Sequence, residues 1–142
     1  MLAWASLIVG AVLAIAVIVE LWRMRKARLS ELIATLGQTW DSKLLMEARQ
    51  RANELANTGK LKQAIDDGGK ANSEEFFILM RIPNFFDSIG AMVEHGDLPT
   101  KLAKELFEKP AGRYWELYGN ALSAIDLEGV SHFRQLVERF QA

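Results

Sequence analysis

Residues 2–19 read LAWASLIVGAVLAIAVIV, eighteen consecutive positions without a charged side chain. As a helix rising 1.5 Å per residue, such a run is about 27 Å long, enough to cross a hydrocarbon core of about 30 Å with little tilt. Trp4 and Trp22 lie eighteen positions apart, so a continuous helix sets one indole at each membrane interface, where amphipathic rings are favoured. Seventeen of the first nineteen residues are apolar, all but Ser6 and Gly10. What remains has the apolar share of an ordinary soluble domain. The 142-residue chain therefore reads as one hydrophobic segment joined to one small soluble domain.

A cleaved export signal also begins with an apolar run, but here no Lys or Arg precedes it, and Glu20-Leu21-Trp22-Arg23 offers no small-residue cleavage site. Ala14-Ile15-Ala16 has the small-x-small form, yet Val17-Ile18-Val19 still follow. Retention as an anchor is the expectation. Arg23, Arg25, Lys26 and Arg28 place four cations directly after the span and none before it. The positive-inside rule then puts the N-terminus outside and the C-terminal domain in the cytoplasm, a single-pass protein. Each cation near an anionic leaflet contributes on the order of 1 kcal/mol, which makes membrane lipids expected partners. The rest of the chain carries thirteen basic against eighteen acidic residues, an acidic body that suits no nucleic acid and stands off an anionic surface.

Beyond the collar, Leu29, Leu32, Ile33, Leu36 and Trp40 follow a helical stripe, so the transmembrane helix is expected to continue as a stalk to about Leu36, with Gly37 as a candidate stop. The segments are 1–22 for the anchor, 23–40 for the basic collar and amphipathic stalk, and 41–142 for a helical domain. Asp41 or Ser42 can cap a helix carrying Leu44, Leu45, Ala48, Ala52 and Leu55, ended by Asn57-Thr58-Gly59. Lys60 to Asn72, with Asp66-Asp67-Gly68-Gly69, reads as a short helix and then a loop. Asn72 or Ser73, followed by Glu74 and Glu75, opens a helix in which Pro83 removes a backbone donor and is expected to kink or divide it; Gly96 ends it. Pro99 starts a short helix with Leu102, Leu106 and Phe107 on one face. Pro110 starts another, with Trp115, Tyr118, Leu122 and Ile125 at a 3-4-3 spacing. A last helix from about Gly129 buries Phe133, Leu136, Val137 and Phe140. No stretch alternates as a strand does, so the fold class is all-α, with about five short helices in the domain.

Within this pattern, Pro83-Asn84-Phe85-Phe86-Asp87, Val93-Glu94-His95-Gly96-Asp97-Leu98 and Gly112-Arg113-Tyr114-Trp115-Glu116 resemble a bacterial family of short single-span membrane proteins known only as a domain of unknown function. The resemblance covers about forty residues and carries Asn84, Phe85, Phe86, Asp87, Gly96, Tyr114 and Trp115 as a core motif. It implies an N-terminal anchor, a helical linker and a helical core, and it assigns no catalytic residue. Pro83 stands where an ordinary helix former is expected. Without the family, Phe85, Phe86 and Ile89 read as core and Asn84 or Asp87 as a cap for a helix restarting after Pro83. Gly90, and in the same way Gly119, suit a close approach of another helix. Tyr114 and Trp115 read as core and core-edge residues.

Sites of chemistry are sparse. Zero cysteines exclude a disulfide scaffold, a thiolate metal site and a cysteine nucleophile. His95 sits at a helix end, where its cationic form suits the terminal carbonyls. His132 follows Glu128 by four positions, a surface pair. Neither histidine has Glu three residues before it, as di-metal bundles require. Asp67-Gly68-Gly69-Lys70 fails as a phosphate loop, because Ala64 and Ala71 stand where Gly and Ser or Thr are needed. The expectations are therefore no catalytic, metal or cofactor-binding residue and a non-enzymatic role. Ser6, Gly10 and Ala14 share one face of the span and permit close helix packing, although seven of the run's eighteen residues are Ala, Gly or Ser. The expected role is an accessory or scaffold subunit of an inner-membrane complex, bound to other membrane subunits or to its own copies. The alternative is a membrane-tethered regulator or sensor, for example in stress or anti-phage responses, with an open apolar groove near the Tyr-Trp helix.

Overall fold

The computed structural model describes residues 2–122 and 127–142. Among them are six α-helices and one 3₁₀ turn, with no strand: α1 (Leu2–Trp40), α2 (Lys43–Asn57), α3 (Leu61–Ala71), α4 (Glu74–Glu94), α5 (Thr100–Leu122), the turn Leu127–Val130 and α6 (Ser131–Gln141). The all-α expectation is met. Two compact units, Met1–Gln38 and Thr39–Ala142, divide the chain.

The first unit is helix α1. The helix does not stop near Leu36 or Gly37 but runs to Trp40, because the roughly 1 kcal/mol that an interior Gly costs is offset by the ring contacts of the half-buried indole. Trp40, in the second unit, stacks on Phe85 at 5.3 Å and meets Phe86 and Tyr114 at 5.3 and 5.9 Å. Arg49 lies over its ring at 4.4 Å.

The second unit is organised around α4, which packs against α2, α3, α5 and α6. Leu79, Ile82, Phe86 and Ile89 of α4 are fully buried with Ile65, Leu98, Tyr118, Leu122, Phe133 and Leu136. Each such side chain contributes about 1.5–3 kcal/mol by leaving water. Helix starts follow their sequence signals: Ser42 Oγ accepts from the Leu45 N–H and Ser73 Oγ from the Phe76 N–H. Gly59 and Gly96, with φ of +70° and +82°, end α2 and α4 in the left-handed conformation that glycine adopts at least cost.

Three expectations change, and at Pro83 the choice between a kink and a division narrows. Gly68 and Gly69 lie inside α3 rather than in a loop, because a Cβ at Gly68 would stand 2.8 Å from Ser73 Oγ and 2.9 Å from Phe76 Cβ, so glycine lets α4 start against α3. Pro83 does not divide α4. Pro110 lies within one helix, α5, where two were expected. Its missing N–H deprives the carbonyl of Leu106, four residues back, of its helical donor, and Leu106 is an exposed residue. Leu44 and Leu106 are exposed, not core, because the buried faces of their helices are filled by Leu45, Ala48, Ala52 and Leu55 and by Ala103, Phe107 and Ala111. Ile125 lies outside the described residues.

Candidate functional site

The anchor face is built entirely on α1. Ser6, Gly10 and Ala14 are exposed, and Ser6 Oγ turns back to donate to the Ala3 carbonyl at 2.9 Å, so the face offers no free hydroxyl. A Cβ added at Gly10 would meet no heavy atom of the described residues within 4 Å. Trp4 and Trp22 are 74% and 72% exposed, and Arg23, Arg25, Lys26 and Arg28 are all exposed. By length and composition two helices are apolar enough to cross a membrane, α1 and α4. None of the apolar window of α1 is buried, against 44% of that of α4.

In the helical domain, Asp87, Gly90, Glu94 and His132, all noted in the sequence, meet at the junction of α4 with α6. Asp87, Gly90 and Glu94 fall three and four residues apart, on one side of α4. Val130, the residue before α6, contributes no side-chain cap. Asp87 Oδ1 supplies one across the interface, accepting from the Phe133 N–H at 3.0 Å. Gly90 provides the room: a Cβ there would overlap the His132 carbonyl and stand 2.7 Å from its carbon. His132 then lies between two carboxylates, Nδ1 3.6 Å from Asp87 Oδ2 and Nε2 3.1 Å from Glu94 Oε2. Asp87 therefore caps α6, not a restarted α4. Asn84 is exposed and caps nothing; its carbonyl accepts from the Ser88 hydroxyl. The partners of His132 here are Asp87 and Glu94; the Glu128 side chain, expected to pair with it, lies outside the described residues. His95 ends α4 as expected, its Nδ1 2.7 Å from the Ala91 carbonyl.

Tyr114 is buried and Trp115 half-buried, the latter edge-on to Phe133 at 5.0 Å. Phe86 links these groups, stacking on Phe133 at 5.1 Å. At Gly119 a Cβ would meet no described heavy atom within 4 Å. Tyr118 was expected on the apolar face of its helix, but the partner of its hydroxyl was missed: buried, it donates to the Leu79 carbonyl at 2.6 Å. Burial, and secondarily Tyr114, push its pKa up from the usual phenol value. The signal for it was Pro83, which leaves the carbonyl four residues earlier needing a donor.

Two open grooves mark the domain surface, and neither is lined by Tyr114 or Trp115. One lies between α2 and α4, lined by Glu47, Glu54, Glu74, Glu75, Arg51 and Ile78 among others. Arg51 crosses it to Glu75 at 2.6 Å, and this hydrogen bond, with that to Glu54, raises the guanidinium's pKa. The other runs beside α3, past Lys60, Asp67, Gly68 and Ser73. Among the described residues no group of three or more His, Asp or Glu is placed to hold a metal ion, and no buried side-chain polar atom lacks a partner.

A family model described as Domain of unknown function (DUF4760) matches residues 5–140. The chain belongs to this family. The match starts inside the apolar run and ends in α6, so DUF4760 takes in most of that run as well as the helical domain, well beyond the forty residues that carried the resemblance. No curated protein and no solved structure matches the chain. In this DUF4760 chain the motif-like residues serve packing and capping: Phe85, Phe86 and Tyr114 surround Trp40, Asp87 holds α6, and Gly96 turns the chain out of α4.

Proposed function

We propose that the protein is a non-enzymatic, membrane-anchored accessory or scaffold subunit of a bacterial inner-membrane complex, with its N-terminus outside and its helical domain in the cytoplasm. The observation that carries this reading is the complete exposure of the apolar window of α1. Leu7, Ile8, Val12, Leu13, Ile15, Val17 and Ile18 are each more than half exposed, an apolar surface that water does not tolerate and that lipid or a neighbouring span covers. Lipid alone is no reason for a stripe of small residues. Ser6, Gly10 and Ala14 give a second transmembrane helix close access to the α1 backbone, and the collar of four cations sets the orientation.

The test is purification of the full chain in mild detergent, with identification of what co-elutes. A stoichiometric membrane partner is expected, and Gly10→Leu is expected to release it. If the protein elutes alone, or if Gly10→Leu leaves co-purification unchanged, the scaffold reading is lost.

A further inference from the structure

The collar has a geometry that limits what can touch it. Helix α1 runs through it without a break, so the directions of its side chains follow from about 100° per residue. Taking Arg23 as the origin, Arg28, Arg25 and Lys26 point at roughly 140°, 200° and 300°. The widest arc without a cation, about 140° between Arg23 and Arg28, carries Glu20, Met24, Ala27 and Glu31. All eight side chains are exposed, and among the described residues none of the four cations forms an ion pair. A packed helix covers a stripe about 100° wide, so a neighbouring helix on any side of this turn would have to bury a cation or face Glu20 and Glu31.

We infer that the collar is a ring that gathers anionic phospholipid headgroups around α1, and that direct subunit contacts of α1 lie in the span rather than at this level. The inference rests on the membrane-spanning reading above. The axial placement agrees with it. Arg23 follows Trp22 directly, and Arg28 lies about 9 Å further along the axis, so the ring sits at headgroup depth once Trp22 takes its interfacial place. Phosphate esters are the anions of that layer. Four cations held within one Debye length, about 8–10 Å, act on it together.

The experiment uses the full chain in nanodiscs of phosphatidylcholine containing a minority of phosphatidylglycerol, with native mass spectrometry of the ejected protein to count retained lipids. A carbonate wash of the parent vesicles is run alongside. Phosphatidylglycerol is expected to be enriched over its share of the disc, the enrichment falling about fivefold for each cation removed in the series ending at Arg23→Gln, Arg25→Gln, Lys26→Gln, Arg28→Gln. A charge-preserving set, Arg23→Lys, Arg25→Lys and Arg28→Lys, is expected to keep it. A carbonate-resistant protein that retains both lipids in proportion to the disc overturns the ring and leaves the span standing. Enrichment that survives the Gln series places the lipid elsewhere and overturns it as well. Loss of a co-purifying protein in the Gln series, without change in lipid retention, makes the occupant a protein and not a lipid. Release by carbonate defeats the span and the ring together.

Discussion

The Tyr118 hydroxyl donates to the carbonyl of Leu79, and Leu79 is four residues before Pro83. In an unbroken helix that carbonyl accepts from the N–H of residue 83, which proline lacks. Tyr118, on α5, thus supplies across a helix interface the bond that α4 is denied along its own axis. Leu79 and Pro83 are both buried, so water is no substitute for this bond.

The first prediction follows from that exchange. Tyr118→Phe removes the donor while keeping the ring, and is expected to cost about 1–3 kcal/mol, because a buried carbonyl is left unpaired. Pro83→Ala restores a helical N–H and is expected to make Tyr118→Phe much cheaper. Urea midpoints of the four proteins of the double-mutant cycle, in mild detergent, check the coupling; additive effects would show that the two residues act separately.

Alkaline titration tests the same bond differently. Burial raises the Tyr118 pKa in the folded state, so the fold holds the neutral phenol. Its contribution is whole below the unfolded value of about 10 and is lost as pH rises through the folded value. Stability of the wild type is therefore expected to fall above about pH 10, while Tyr118→Phe shows a flatter decline. Absorbance at alkaline pH is expected to show Tyr118 resisting ionisation until the protein unfolds.

Gly90 and Gly112 should respond oppositely to alanine. At Gly90 the obstruction is the His132 backbone, which cannot rotate away, and Gly90→Ala is expected to cost about 1–3 kcal/mol by overpacking. At Gly112 a Cβ meets no described heavy atom within 4 Å, and Gly112→Ala is expected to gain about 0.4–1 kcal/mol from the reduced freedom of the unfolded chain. Thermal unfolding distinguishes the two.

Asp87→Ala withdraws the cap of α6 and one of the two carboxylates facing His132, with an expected cost of about 0.5–2 kcal/mol. Asp87→Asn keeps an acceptor oxygen and is expected to cost less. Amide exchange should localise the loss of Asp87→Ala to the first turn of α6, Phe133 above all; uniform deprotection of the domain would contradict a local cap.

What was legible in the sequence depended on neighbours within about one helical turn. The apolar run, the Ser42 and Ser73 caps, the Gly59 and Gly96 terminations and the buried stripe of α6 all rest on spacings of three or four residues, and the helices and their exposed or buried faces followed. Pro110 and the Gly68-Gly69 pair misled, and at Pro83 the sequence left a kink and a division open. The local preference of all three is to interrupt a helix; a tyrosine from α5 serves the carbonyl freed at Pro83, and the start of α4 fills the space at Gly68.

The sequence by itself determined an N-terminal helix long and apolar enough to cross a membrane, a cationic collar and an all-helical domain, since periodicity and capping are written in consecutive residues. The tertiary structure alone decided that Tyr118 completes α4, that Asp87 caps α6 and that Gly90 admits His132. The two hydrogen bonds join residues 39 and 46 positions apart, and a hydrogen bond depends on a distance of about 3 Å in space, which no local pattern of side chains encodes.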